Sequence, residues 1–217
     1  MAKRAYGLED KQVRREDILD AARRLFDAGT GDLPAVADIA AAAGLAKGTV
    51  YLYFATREAI FAELLLDGWA AMLRELDEAF GNGGSGSKKV STFLRRLVAH
   101  VDRHPELLRL DALAQGVVER NLEPQTLRVF KSTLTERLMK RGTVVEAALD
   151  LPPGRGVQLL MRTYALTRGL WQAIGPDAHG PIEAGCAPPH ADFKQELAEA
   201  LVEYWRGALA GTRGFRL

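Results

Sequence analysis

The chain has 217 residues, of which 47% are hydrophobic and 26% are charged, and its formal net charge is +1. This length and composition are typical of a globular protein that buries a core without disulfides. A single cysteine, Cys186, excludes a disulfide framework within the chain and favours a reducing compartment. No stretch has the apolar run of a secretory signal or of a membrane span, so we expect a cytoplasmic protein with no membrane partner.

Apolar residues recur at helical spacing from the first helix, "ILDAARRLFDAG", onward. Glycines then interrupt the pattern, and Pro34 suits the first turn of a short second helix that ends at Gly44. A third short helix follows from about Lys47. Thr56 is expected to cap a long fourth helix over residues 56–80, which carries one continuous apolar stripe.

The second half of the chain also consists of amphipathic helices. The stretch "GNGGSGSKK", Gly81 to Lys89, is expected to be a flexible connector in front of them. A loop rich in glycine and proline at residues 175–189 precedes a last helix at about 190–210. No segment alternates in the manner of a β-strand. We therefore predict an all-α fold of about nine helices.

Residues 35–54, "AVADIAAAAGLAKGTVYLYF", combine a short helix, a glycine turn and a second short helix. This order is typical of a helix-turn-helix, in which the second helix enters the DNA major groove. Gly44 can adopt the positive φ angle that such a turn needs. An ordinary corner between two helices fits the same pattern, so the pattern alone leaves DNA binding and a purely structural role open.

The aromatic residues of the second short helix fall on different faces. Val50 and Phe54 are four residues apart and share one face, which we expect to be buried. Tyrosine hydroxyls suit phosphate oxygens, and tyrosine rings suit sugar edges or a thymine methyl group. The side chains left for contact are Lys47, Thr49, Tyr51 and Tyr53.

The segments "ILDAARRLFDAG" and "VADIAAAAGLAKGTVYLYFATREAIFAELL" together resemble the DNA-binding domain of the TetR family of transcriptional regulators, over about residues 12–75. The resemblance implies a recognition helix at about 46–52. Arg57 stands where the family usually has a phosphate-binding lysine, and arginine keeps that charge. The implied DNA-binding residues are Lys47, Gly48, Thr49, Tyr51, Tyr53 and Arg57.

Two positions depart from the family pattern. Ala46 replaces the serine or threonine that usually caps the recognition helix, and Leu33-Pro34 replaces a similar residue before the second helix. A missing hydroxyl cap typically costs about 1 kcal/mol and here also removes a phosphate contact. Weaker or more adaptable DNA binding is the hypothesis that follows.

Catalytic and metal motifs are poorly supported. "GNGGSG" matches G-x-G-x-x-G, but a helix rather than a strand precedes it, so a linker is expected. His100 and His104 have the spacing of a metal pair, yet residue 101 is Val instead of the Glu of H-E-x-x-H, and we expect a solvated helix end. We predict no catalytic residue, no metal and no cofactor, and hence a protein that is not an enzyme.

The resemblance implies a homodimeric repressor that binds a near-palindromic operator and is released by a small-molecule effector. It also implies a DNA-binding domain over residues 12–57, a connecting helix over 56–80 and a regulatory and dimerisation domain over 81–217. The alternative is an all-helical small-molecule binding or scaffold protein whose helix-turn-helix no longer binds DNA.

Large or polar side chains on the later helices are candidates for an effector pocket, although each also fits an ordinary core. These candidates are Phe93, Gln115, Phe130, Met161, Tyr164, Arg168 and Trp171. The resemblance also implies that the last two helices, at about 154–175 and 190–210, pair across the dimer. Their candidate contact residues are Leu170, Leu197, Leu201 and Trp205.

Overall fold

The computed structural model describes residues 2–29, 31–176 and 192–210, so most of the predicted 175–189 loop, with Cys186, lies outside the described residues. The described ranges contain helices and no β-strand, which confirms the all-α prediction. A π-helical turn, Ala114–Val118, and a 3-10 turn, Glu119–Asn121, follow the sixth helix. The α-helices are α1 (Ala2–Ala28), α2 (Val36–Ala42), α3 (Lys47–Tyr51), α4 (Arg57–Gly81), α5 (Gly86–Arg103), α6 (Pro105–Leu113), α7 (Pro124–Leu149), α8 (Arg155–Ile174) and α9 (Phe193–Ala208).

The chain divides into two compact units. The first is formed by Met1–Asp67 and Arg109–Phe130, and the second by Gly68–Leu108 and Lys131–Leu217. The division therefore falls inside α4, whereas the sequence suggested a regulatory domain beginning at residue 81. A single continuous helix carries no sequence signal at such a point, because its apolar stripe continues through it.

The glycine-rich stretch after α4 is shorter than the predicted connector. α4 continues to Gly81 and α5 begins at Gly86. Ser85 is the N-cap of α5, and its hydroxyl accepts a hydrogen bond from the Lys88 N–H at 3.3 Å. The sequence suggested that this serine belongs to a linker, but it is a helix cap. The turn joins the end of α4 to α5 within the second unit.

The first unit has a core made by α1, α2, α3 and the beginning of α4. The rings of Phe26 and Phe61 lie 5.9 Å apart at its centre. Gly44 has a φ angle of +67° in the turn between α2 and α3, as predicted. Pro34 lies before Ala35, the N-cap of α2, so its expected place in the first helical turn was wrong.

The second half of α6 also belongs to this first unit, and Arg109 is its first residue there. Its guanidinium group lies 5.5 Å from the centre of the Phe26 ring. It also donates to the backbone carbonyls of Asp27 and Gly29, each at 3.4 Å. The last carbonyls of a helix have no partner within the helix, so Arg109 supplies one at the end of α1.

The second unit is centred on Trp205 of α9. Its indole Nε1 donates to the Thr163 hydroxyl of α8 at 2.9 Å, and its ring lies 5.9 Å from that of Phe93 on α5. Leu197 and Leu201 lie on the same stripe of α9, and all three α9 residues are fully buried within the chain. The prediction that Leu197, Leu201 and Trp205 contact a partner subunit was therefore wrong, because their side chains have no exposed surface within the chain.

The helices α7 and α8 touch backbone to backbone. A Cβ atom built on Gly156 would lie 2.1 Å from the Gly142 carbonyl oxygen, and one on Gly142 would lie 2.3 Å from Val157 Cγ2. Glu146 strengthens the contact because its Oε1 accepts from the Gly156 N–H at 2.9 Å. Glycine at both positions is what permits this approach.

Leu201→Ala tests the α9 core. We expect this change to lower the free energy of unfolding by about 2–5 kcal/mol, since it leaves a cavity at a fully buried site. Met139→Ala is the control in the same unit, because that side chain is 57% exposed. Urea denaturation followed by tryptophan fluorescence measures both. Equal effects of the two substitutions would contradict the assignment.

Candidate functional site

The helix α3 separates into a buried face and an exposed face. Val50 and the following Phe54 are buried in the first unit, as predicted from their spacing. Tyr51 is 46% exposed, and Lys47 and Gly48 are exposed as well. Thr49 and Tyr53 are half-buried. The exposed groups offer an ammonium, a phenol and bare backbone on one short helix, which are groups able to contact phosphate oxygens and base edges.

Leu52 is a surface residue that the sequence interpretation did not include. It is the C-cap of α3, and it is 78% exposed. Helical spacing could have indicated this, because position 52 lies away from the face of Val50 and Phe54. An apolar side chain beside Tyr51 adds a group suited to a thymine methyl.

A five-residue helix needs support from its surroundings, and Arg15 of α1 provides part of it. The Arg15 guanidinium stacks 4.7 Å from the centre of the Phe54 ring and forms an ion pair with Glu63 of α4. Burial lowers the pKa of Arg15, and the nearby Asp67 carboxylate opposes that shift. One cation thus links α1 and α4 to the segment that follows α3.

Both helices of the motif begin without a side-chain cap. Ala46 is the N-cap of α3, with φ −73° and ψ 145°, and Ala35 is the N-cap of α2. Neither side chain makes a capping hydrogen bond. Thr56 shows the contrast, because its hydroxyl accepts from the Ala59 N–H at 3.1 Å at the start of α4.

Arg57 contacts protein groups within its own unit. Its Nη2 lies 2.9 Å from Glu58 Oε1, and its Nη1 donates to the Leu33 carbonyl at 3.2 Å. The guanidinium therefore joins the beginning of α4 to the loop before α2. The resemblance could not show these partners, because a family position carries no information on a neighbouring acid.

The second unit contains a cavity of about 200 Å³. It is lined from α4, α5, α7 and α8 by Trp69, Met72, Leu73, Phe93, Leu97, Leu134, Thr135, Leu138, Leu160, Met161, Thr163, Tyr164 and Thr167. Phe93, Met161 and Tyr164 of the predicted pocket residues are thus brought together here. Aromatic rings form part of the wall, where Trp69 meets Tyr164 edge to face at 4.9 Å.

The other predicted pocket residues lie elsewhere. Gln115 is exposed on the π-helical turn and Phe130 is buried, and both belong to the first unit. Trp171 packs against Phe193 with ring centres 5.1 Å apart. Arg168 stands behind the wall, where it donates to the Tyr164 hydroxyl at 3.2 Å. Helical periodicity identifies an inward face but not which of several inner neighbours that face meets.

His100 is not the solvated residue that we expected. It is only 6% exposed, and its Nδ1 lies 3.3 Å from Glu75 Oε1. Burial lowers the pKa of His100, and the hydrogen bond to Glu75 opposes the shift without cancelling it. Among the described residues, no group of three or more His, Cys, Asp or Glu side chains could hold a metal ion. This histidine is a core residue of the second unit.

The outer sides of α8 and α9 form a shallow groove. Its lining includes Arg162 and Leu166 from α8 and Glu203, Tyr204 and Gly207 from α9. The Tyr204 hydroxyl is buried and makes no hydrogen bond within the described part of the chain.

Considering only residues that the structure describes, no helix is long and apolar enough to cross a membrane.

Solved structures share the fold. A TetR-family transcriptional regulator from Mesorhizobium loti MAFF303099 aligns with a TM-score of 0.65 and 20% identity, covering 92% of this chain and 96% of that one. The regulator FadR from Bacillus subtilis, in complex with stearoyl-CoA, aligns with a TM-score of 0.55 and 18% identity, covering 93% and 99%. Identities this low establish likeness of fold alone.

Sequence comparisons establish the family. The HTH-type transcriptional regulator YfiR from Bacillus subtilis (strain 168) is 34% identical over 71 residues, which is 33% of this chain and 35% of that relative. This chain thus matches about a third of YfiR. Residues 18–64 match the profile of bacterial regulatory proteins of the tetR family. Residues 66–212, more than half of the chain, match the tetracyclin repressor-like C-terminal domain. The chain therefore belongs to the TetR family of DNA-binding transcriptional regulators.

Proposed function

We propose that this protein is a ligand-responsive repressor, which binds a near-palindromic operator as a homodimer and is released by a small-molecule effector. The observation that supports the proposal is that the two units carry two different candidate sites. One unit presents the exposed face of α3, and the other encloses a cavity of about 200 Å³.

The DNA contacts are assigned to the exposed face of α3. Tyr51 supplies a hydroxyl for a phosphate oxygen, Lys47 supplies a charge, and Gly48 and Thr49 approach base edges. Tyr53, which is half-buried at the end of this face, is assigned to the phosphate backbone. We omit Arg57 from this set, because its guanidinium already binds Glu58 and the Leu33 carbonyl.

The dimer contact is assigned to the outer sides of α8 and α9. Ala165, Gly169 and Ala173 are exposed at four-residue intervals along α8, and they allow a second helix to approach closely. Leu170 is half-buried beside them. A partner subunit would also bring polar groups near the Tyr204 hydroxyl, which lacks a hydrogen bond within the described chain.

Effector release is assigned to α4. Trp69, Met72 and Leu73 of α4 line the cavity, and the first residues of the same helix belong to the DNA-binding unit. A ligand that shifts α4 also changes the position of the helix-turn-helix, because the motif is continuous with α4 in the chain. Such coupling is reciprocal, so operator DNA must weaken effector binding by the same factor.

A different function is favoured by three features of the DNA-binding unit. Ala46 and Ala35 leave both helices of the motif without a hydroxyl cap, and Arg57 is paired internally. These features suit a small-molecule binding or scaffold protein with a degenerate helix-turn-helix. The salt dependence of DNA binding separates the two functions, because only a DNA-binding protein releases counterions from phosphate.

Tyr51→Phe tests the repressor assignment. The wild-type protein should bind DNA from its own upstream region in a mobility-shift titration, with affinity that falls steeply between 50 and 200 mM salt, by roughly a thousandfold if six phosphates are contacted. Loss of the Tyr51 hydroxyl should raise Kd about fivefold, which is about 1 kcal/mol. Met139→Ala, in the other unit, should leave Kd unchanged. Binding that ignores salt would favour the scaffold alternative.

Ala46→Ser tests the missing cap. Serine at this N-cap should accept a backbone N–H bond of α3, and we expect it to lower the operator Kd about fivefold, or about 1 kcal/mol. Ala46→Val is the matched control, because it adds bulk without an acceptor and should give no gain. Unchanged or weaker binding by the serine variant would contradict the hypothesis.

Gly169→Arg tests the dimer contact. Apart from its two chain neighbours and the backbone of its own helix, no atom of the described residues lies within 4 Å of a Cβ built on Gly169. Arginine there is therefore tolerated by the single chain but obstructs a closely packed partner. Sedimentation should show a monomer for this variant and a dimer for the wild-type protein. Gly116→Arg is the control at a similarly open glycine of the first unit and should remain dimeric. A monomeric wild-type protein would refute the homodimer.

A further inference from the structure

We infer that the cavity of the second unit selects an uncharged, largely apolar molecule of about eight to ten non-hydrogen atoms, the size of a substituted benzene ring. The inference rests on the proposed role of this cavity as the effector site and names the chemical class of the effector. Three observations support it. They are the volume of the cavity, the charge and hydrogen bonds of the side chains that line it, and the close contact of α7 and α8 at two glycines along from it.

The volume sets the size. An apolar cavity of about 150 Å³ holds benzene, whereas pockets for drug-sized ligands range from about 300 to 1,000 Å³. The present cavity, at about 200 Å³, lies just above the first case and below the second. It therefore has room for one ring with a short substituent, and none for a fused polycyclic skeleton without movement of its walls.

The lining excludes charge. None of the described side chains that line the cavity is ionisable near neutral pH, and a charge buried without a partner is strongly unfavourable. The two buried threonines have already used their hydroxyl protons, because Thr163 donates to the Leu159 carbonyl at 2.8 Å and Thr167 donates to the Thr163 carbonyl at 2.9 Å. Thr163 also accepts from Trp205 Nε1 at 2.9 Å and keeps one acceptor position, so both hydroxyls can still accept a hydrogen bond but cannot donate one. They suit a ligand hydroxyl or N–H group and offer nothing to a carboxylate.

The glycine contact explains why the cavity lies where it does. Gly142 and Gly156 bring α7 and α8 together at the end of α7. The cavity residues Leu134 and Thr135 lie seven or eight positions earlier on α7, which is about 10–12 Å along the helix axis. The side chains at these earlier positions are larger than that of glycine. The two helices therefore cannot approach each other there as closely as they do at Gly142 and Gly156, and a space remains between them.

Met161 marks the opening of this space. It lines the cavity and is also 48% exposed, so one side chain reaches both the interior and the solvent. Methionine is unbranched and adapts its rotamers to irregular gaps. A ligand of the stated size can therefore enter between α7 and α8 by displacing one flexible side chain.

The first experiment compares three probes against the full-length protein by calorimetry and thermal shift. The probes are 2-phenylethanol, phenylacetate and the much larger neutral molecule progesterone. We expect 2-phenylethanol to bind at least tenfold more tightly than either of the others. Equal or tighter binding of phenylacetate overturns the exclusion of charge, tighter binding of progesterone overturns the size, and no binding of 2-phenylethanol overturns the inference as a whole.

The second experiment places the probe in the cavity. Leu134→Trp should fill the space and reduce 2-phenylethanol affinity at least tenfold, whereas Met139→Trp, on the exposed side of the same helix, should leave it unchanged. Circular dichroism establishes that each variant is folded, and Leu138→Phe replaces Leu134→Trp if the latter is not. Equal affinity for the filled variant and the control would show that the probe binds elsewhere.

The failure of this inference differs from the failure of the proposed function. Operator binding without any probe tests the repressor assignment alone. If 2-phenylethanol occupies the cavity and leaves operator affinity unchanged, the selectivity of the cavity stands and effector-induced release is refuted. If operator DNA is bound but 2-phenylethanol is not, the repressor assignment stands and the inferred ligand class is refuted.

Discussion

The contact of Arg15 with Phe54 and Glu63 is the interaction on which the proposed DNA-reading surface depends. An isolated helix of five residues is unstable, because nucleation costs more than so few hydrogen bonds return. α3 persists because Val50 and Phe54 are buried and because the Arg15 cation lies over the Phe54 ring while it pairs with α4. The residues that stabilise α3 thus lie behind its exposed face. They are not among the residues assigned to DNA contact.

The second unit combines a closely packed core with an unfilled cavity. Around Trp205 the helices interlock, with every α9 core residue covered. A few residues away along α8 the same unit leaves about 200 Å³ unfilled. Unfilled apolar volume costs stability in proportion to its size. The apolar side chains buried around Trp205 stabilise the unit and oppose that cost.

The sequence predicted features that depend on local spacing. The helical period, the buried pair Val50 and Phe54, the positive φ of Gly44 and the cap at Thr56 all concern neighbours within a few positions. These local patterns, with the family resemblance, were sufficient for the all-α fold and the two-helix motif. They also located the absent cap at Ala46, because capping depends on one residue and the backbone that follows it.

The errors concern the identity of distant neighbours. Periodicity showed that Leu197, Leu201 and Trp205 face inward, but it could not show that α5 and α8 of the same chain cover them. His100 is buried by residues brought from α4, including Glu75, which lies 25 positions earlier. Gln115 and Phe130 were grouped with the pocket as polar or large side chains on the later helices, although both belong to the first unit. Long-range pairing has no signature in a single amphipathic pattern.

The place of Arg109 has a consequence for the construction of hybrid regulators. A natural cut would join the DNA-binding half of one family member to the effector half of another at about residue 65, between the two matched family regions. In this chain such a cut separates Arg109 from the Asp27 and Gly29 carbonyls that it binds. The DNA-binding unit is thus assembled from two stretches of chain, and a hybrid that carries only the first would inherit an incomplete one. Transplanting Arg109–Phe130 together with the N-terminal region would keep the unit whole.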